Sequence, residues 1–330
     1  MVIRKIWLLK LVLPFRYGRF LTGLVLLSLL FPFFHMGGTH VAAHKPPALF
    51  FSLILAYIIP VFSFITNKAQ QSLQALRPIL DLDEEGYENA QAQLYGASPV
   101  FSVGCLFIGA IAGFAHMSFV RSSIKVAFDT MFTSITGFIT TLGVLAVWMI
   151  MYTVISMLIK QARLFARLGK HNTRVSLLDA YNLLPFARVS INSSLAIIGA
   201  LALFPLISME NGLNLTKSLA RAIAILVPLM IIFIIPVWPI HRRLARLKEQ
   251  ELTVLNKRIA ANLNVDGSVD IEAENLDTLL PLLNYRREIT QISSWPFDLG
   301  NITQFALYLI IPPLTWVGAA LIENLVDALL

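Results

Sequence analysis

Seven stretches of this chain run without a single Asp, Glu, Lys or Arg for lengths that match a bilayer: 20–36, 48–65, 100–120, 131–159, 189–208, 222–240 and 299–322. About 20 apolar residues in a helix cross the ~30 Å hydrocarbon core of a membrane. Hydrocarbon offers backbone amides no partner, so each crossing segment must be a helix or belong to a closed barrel, and these runs lack the period-two alternation of barrel strands. The expected fold is all-α, a polytopic membrane protein with seven transmembrane helices. Composition agrees: 57% of residues are hydrophobic and 14% charged, and the mean hydropathy of +0.72 exceeds what a water-soluble domain of 330 residues can conceal. Disorder is excluded by the same apolar and aromatic content.

The segments between the runs alternate between long and short. Those at 1–19, 66–99, 160–188 and 241–298 carry 21 of the 26 Lys and Arg, which places them in the cytoplasm by the positive-inside rule, with the N-terminus in and the C-terminus out. Position weighs as much as number: Lys160, Arg163, Arg167, Lys170 and Arg174 follow the fourth run, and Arg242, Arg243, Arg246 and Lys248 follow the sixth. The net charge of +7 answers to topology and anionic lipid rather than to nucleic acid. The expected location is the cell inner (plasma) membrane. Four units follow: an interfacial amphipathic segment at 1–19, a six-helix bundle at 20–240, a cytoplasmic helical hairpin at 241–298, and a seventh helix with an outer tail at 299–330. Arg16 and Arg19 before an apolar stretch ending in Val41-Ala42-Ala43 also fit a cleavable signal, but the stretch is long for one, and the patch from Ile6 to Leu13, laced with Lys5 and Lys10, reads as a helix lying in the interface.

The fourth run, about 44 Å long as a helix, is expected to extend beyond the bilayer and pack against the hairpin. Leu244, Leu247, Leu252, Leu255 and Ile259 give the first arm of that hairpin, and Ile271, Leu276, Leu279, Leu280, Leu283 and Ile289 the second, around a turn at Val265-Asp266-Gly267. Pro281 is expected to kink or shift the second arm.

Membrane enzymes and ion-coupled carriers place a carboxylate or amine inside a span, and none of the seven runs contains one. No P-loop, His-Glu-x-x-His, dinucleotide fingerprint or Cys-x-x-Cys is present, and the single Cys105 cannot form an intrachain disulfide. A non-enzymatic protein without a cofactor is expected. His35, His40, His44 and His116, with Met36 and Met117, gather at the outer ends of spans and invite comparison with a zinc or copper site. Their spacing is irregular beside Gly37-Gly38 and Pro46-Pro47, so helix-end histidines are the simpler reading. Asp81-Leu82-Asp83-Glu84-Glu85-Gly86 and the stretch from Asn262 to Asp270 imitate calcium loops but meet Ala92 and Ala273 where a bidentate Glu belongs. Gly109-Ala110-Ile111-Ala112-Gly113 offers a small-residue face for close helix approach, within the chain or in a homo-oligomer. Thr133, Ser134, Thr136, Thr140 and Thr141 form a hydroxyl-rich patch in the fourth run. In the last run Pro312-Pro313 frees carbonyls at mid-membrane beside Gln304, Tyr308, Thr315 and Trp316, the pattern by which channels and transporters build a permeation or binding point.

The residues Pro236-Val237-Trp238-Pro239-Ile240-His241-Arg242-Arg243-Leu244, continuing through Lys248 and Glu251-Leu252, and then Ile292-Ser293-Ser294-Trp295-Pro296-Phe297, resemble the tail of prokaryotic multi-pass membrane proteins of unassigned activity. The resemblance covers the last quarter and implies no catalytic residues. The run into Arg242-Arg243-Leu244 also looks like the opening of a HAMP signalling helix, from which the chain departs by re-entering the bilayer at Leu299. The seven-span, N-in and C-out order is similar in topology to insect chemoreceptor channels. The leading expectation is a channel or sensor whose last span, broken at Pro312-Pro313, is coupled to the hairpin, with Gln304, Tyr308, Pro312, Pro313, Thr315, Trp316, Thr136 and Thr140 as pore or binding candidates. The alternatives are an accessory or scaffold subunit docking a soluble protein through the hairpin, and a carrier for an uncharged or lipidic solute. Beyond that protein, the expected partner is the lipid bilayer.

Overall fold

The computed structural model describes residues 4–36, 45–121, 123–177, 179–203, 215–262 and 273–329. It is a helical bundle. Among the described residues, five helical stretches are long and apolar enough to cross a membrane: Gly18–Met36, Ala48–Ile79, Pro99–Phe119, Ile135–His171 and Ala180–Ala202. They correspond to helices α2 (Gly18–Met36), α3 (Lys45–Leu76), α5 (Pro99–Val120), α7 (Ile135–His171) and α8 (Leu184–Ala202). The runs 222–240 and 299–322 lie within two further long helices, α9 (Leu215–Asn262) and α11 (Leu299–Leu329).

The bundle is apolar outside as well as inside. Of these five stretches the one in α8 is the most deeply enclosed, whereas α2 and α5 turn large side chains outward, among them Phe20, Leu29, Val103 and Phe107. Water would penalise such continuous exposed apolar surface, and hydrocarbon would not. Small residues let the interior helices close up. A Cβ on Gly109 would sit 2.6 Å from the Cα of Met149, and one on Gly113 would crowd Leu145 and Trp148. The small-residue face therefore belongs to the α5–α7 contact within one chain.

All four long hydrophilic segments meet at one end. Leu73 and Leu76 from the end of α3, Leu94 from α4 (Glu84–Tyr95), Leu164, Phe165 and Leu168 from α7, and Ile240 and Leu244 from α9 share one buried cluster. Leu80 and Thr173 form a bridge there, with Asp81 N–H donating to Asn172 O and Arg174 N–H to Ile79 O. The chain start joins through two short antiparallel strands, β1 (Arg4–Lys5) and β2 (Gly96–Ala97). Between successive members of this set the chain makes an out-and-back pair of helices, so a common end is what the up-and-down threading requires.

Three local expectations are corrected. The stretch from Ile6 to Leu13 is not a helix lying on the interface: only α1 (Trp7–Lys10) is helical, and Ile6, Leu8 and Leu9 are buried in the main core beside Phe62, Met157 and Leu158. The β1–β2 pairing and the Ile6 N–H to Tyr95 O bond hold it there. The run 131–159 is not one helix, because α6 (Ile124–Thr133) ends before Ser134, whose hydroxyl caps α7 by accepting from Gly137 N–H at 3.0 Å. Helix α7 then continues past Ile159 to His171, about 55 Å in all, and its extension packs on α9 through Gly169 and Ile240. Third, the last span is not broken at Pro312-Pro313; the other in-helix prolines also leave their helices continuous, which a kink such as the one expected at Pro281 does not prevent. Helix α3 runs through Pro60, α9 through Pro228 and Pro236, and α10 (Ala273–Gln291) through Pro281. The last helix runs unbroken through Pro312 and Pro313, as neighbouring helices in a bundle permit.

Candidate functional site

The residues singled out in the last helix have distinct surroundings. Gln304 Nε2 donates to Tyr308 Oη one turn later at 2.6 Å, and Tyr308 packs against the main core with Phe305. The single proton of the Thr315 hydroxyl is shared between two carbonyls, Pro312 O in its own helix at 2.8 Å and Ala202 O at the end of α8 at 3.3 Å. The second is one of the orphan carbonyls of a helix C-terminus. Pro312 is buried, and the side chains of Pro313 and Trp316 lie outside the described residues. Thr136 and Thr140 are half-buried on α7, which packs on α5, α9, α6 and α3, whereas α11 packs chiefly on α8. The two candidate sets therefore line different helix contacts. Other hydroxyls of the bundle bond their own helix carbonyls, as Thr141 does to Gly137 O and Thr153 to Met149 O.

The histidines are also apart. His35 stacks on Phe31 and leaves Nδ1 buried without a hydrogen-bond partner, His116 lies against Trp148, and His40 and His44 fall outside the described residues. Among the described residues no group of three His, Cys, Asp or Glu could hold a metal ion. In the first calcium-like loop, Asp83 is instead the N-cap of α4, accepting from Gly86 N–H at 2.9 Å, while Asp81 pairs with Arg174 and Glu84 with Arg77. The second such loop lies almost wholly outside the described residues.

What the structure does bring together is the junction of the hairpin with the last helix. The first arm is the continuation of α9 itself, which at 48 residues is about 72 Å long. The second arm, α10, returns along it. Lys248 Nζ donates to Thr290 O and Ile292 O, Arg286 Nε donates to Asn256 Oδ1, and Tyr285 Oη donates to Glu251 Oε1 at 3.3 Å. Burial, then the Glu251 carboxylate, raises the Tyr285 phenol above its usual pKa. After α10 the linker folds onto α9 through aromatic rings. Trp295 stacks on His241, whose Nδ1 lies 3.1 Å from Ser294 O, and Trp238 lies at a tilt beside both rings. Phe297 stacks on Phe233, which in turn stacks on Phe305 in α11 at 4.4 Å. The rings form one continuous ladder from hairpin to last helix.

The sequence coupled the last span to the hairpin without showing the rings through which Trp295 and Phe297 make the connection. The signal was available: Phe233, Pro236-Val237-Trp238 and His241 place aromatic groups along the stretch of α9 that such a linker would cross. No protein-family model, curated protein or solved structure matches the chain.

Proposed function

We propose that this chain is a non-enzymatic membrane protein of channel or sensor type with seven spans, in which α9, the α9–α10 hairpin and the start of α11 act as one lever. The N-terminus and the four long hydrophilic segments lie in the cytoplasm and the C-terminus lies outside, with the inner membrane as the expected site. The observation that carries the reading is the aromatic ladder from His241 and Trp295 to Phe305. A force on the hairpin reaches α11 without passing through a flexible linker, because the linker is pinned to α9 along its length. In this reading the working part of the device is this junction, with Pro312-Pro313 and the carbonyls that they leave without an N–H partner further along the same helix.

Planar-bilayer recordings of the purified chain under voltage and tension test the proposal. Discrete currents are expected, with an opening probability shifted by Trp295→Ala. A silent protein removes the channel form, and gating indifferent to Trp295→Ala removes the lever. The scaffold reading draws support from Val254, Leu280 and Leu283, which are exposed apolar residues on the hairpin. It predicts a soluble protein that is captured by the full chain and lost when residues 245–290 are deleted.

A further inference from the structure

A second feature stands apart from the hairpin junction. Where α7 leaves its charge-free stretch, Lys160, Arg163, Arg167 and Lys170 follow one another at spacings of three, four and three residues, which places them on one face of the helix over about 15 Å. They line a groove of about 490 Å³ whose other walls include Phe101 from the first turn of α5 and Pro239 from α9. Among the described residues no Asp or Glu lines it.

Two of the cations are fixed and two are not. Lys160 Nζ donates to Gly96 O at 2.7 Å and lies 5.7 Å from the Phe101 ring, and Arg167 donates to Gln93 Oε1 at 2.8 Å. Arg163 and Lys170 are exposed and have no hydrogen-bond or ion-pair partner among the described residues. All three walls change character at the same level. The fourth charge-free run ends at Ile159, the third begins at Val100 and the sixth ends at Ile240, so the groove opens at the boundary between hydrocarbon and water. The groove runs outward from that boundary, with Arg163 about 6 Å and Lys170 about 16 Å beyond Ile159 along the helix; cations rising from an apolar floor match a molecule with a phosphate head and an acyl tail, and basic pockets between membrane helices are known to take such heads.

We infer that the groove formed by Lys160, Arg163, Arg167, Lys170, Phe101 and Pro239 binds the phosphodiester headgroup of an anionic phospholipid. Arg163 and Lys170 supply the phosphate contacts, and Phe101 and Pro239 border the start of an acyl chain. The inference does not depend on the lever proposed above.

The test is lipid retention on the full-length chain, read by native mass spectrometry with dioleoylphosphatidylglycerol, dioleoylphosphatidylcholine, and glycerol phosphate or inorganic phosphate as the free-anion arm. The wild type is expected to retain phosphatidylglycerol at least tenfold over phosphatidylcholine. Arg163→Gln with Lys170→Gln is expected to weaken that retention roughly tenfold to thirtyfold, because each basic residue at a membrane surface is worth about fivefold. Lys257→Gln with Arg287→Gln removes the same charge from the hairpin and is expected to change nothing. Equal retention by the Arg163/Lys170 and control variants overturns the site. Competition by free phosphate at the concentration of the lipid overturns the lipid as its occupant. A far-ultraviolet spectrum and melting profile matching the wild type establish that the variants fold.

Discussion

The imidazole of His241 lies on the indole of Trp295 with ring centroids 3.9 Å apart and planes 15° from parallel. The two residues are 54 positions apart, one in the helix that leaves the bundle and one in the linker that returns to it. Their contact turns two connected elements into one mechanical unit. Replacing Trp295 by Ala is expected to destabilise the hairpin junction by roughly 1–2 kcal/mol, since an aromatic pair and a partly buried indole are lost. Hydrogen exchange at Ile292 to Gly300 should quicken accordingly, while exchange in α3 and α8 stays unchanged. Unaltered exchange in the linker would show that the stack holds nothing.

Gly104 and Gly109 on α5 make a matched pair. A Cβ on Gly104 meets nothing within 4 Å, whereas one on Gly109 meets backbone atoms of Met149 and Trp148 that no side-chain rotation can clear. Gly109→Ala is expected to lower stability by about 1–3 kcal/mol, the usual cost of overpacking. Gly104→Ala is expected to be neutral or to gain up to about 1 kcal/mol from helix propensity. Thermal unfolding in detergent reads both, and equal melting of the two variants contradicts the α5–α7 contact.

The loop before α4 is a helix cap. Asp83→Ala should cost about 1 kcal/mol, as loss of an N-cap does. Asp81→Ala should cost little, because its exposed pairing with Arg174 is of the kind that contributes about 0–1 kcal/mol. Millimolar calcium should leave both melting curves where they were, and a calcium-dependent rise in the wild type alone would reverse this assignment.

Tyr285 gives the hairpin a contact that responds to alkaline pH. Tyr285 donates to Glu251, and burial together with that carboxylate holds its phenol protonated above the usual tyrosine value. A pKa raised on folding contributes stability that is complete below the unfolded value of about 10 and is lost as the pH climbs through the folded value. Glu251→Gln should therefore bring the phenolate transition of Tyr285 to lower pH, followed by absorbance at 295 nm against a Tyr285→Phe blank. A transition that stays in place means the carboxylate does not act on the phenol.

How much of this was legible in the chain follows from the range of each interaction. Absence of charge is a local property, so the charge-free runs fall largely on helix among the described residues, and the long hydrophilic segments, read as sharing one compartment, do share one end of the bundle. Hydroxyls escape a rule built on charge, which is why the run 131–159 concealed the end of a helix at Ser134; its position before a glycine-containing apolar stretch was the readable clue. Ile6, Leu8 and Leu9 look amphipathic alone, and only the strand at Gly96-Ala97, far along the chain, draws them inside. The same limit applies to the basic groove. The spacing of Lys160, Arg163, Arg167 and Lys170 is visible in the sequence, but the walls supplied by Phe101 and Pro239 appear only when three helices assemble.

The claim beneath the whole account is that the chain start, the α3–α5 connection, the extension of α7 and the hairpin occupy one side of the membrane. Single cysteines at Lys10, Glu85, His171 and Lys257, each in a Cys105→Ala background, test it with a membrane-impermeant maleimide on intact cells and on inverted vesicles. The account predicts that all four label only from the cytoplasmic face and that a cysteine at Met36 labels only from the other. Labelling of any one of the four from the Met36 face would contradict it.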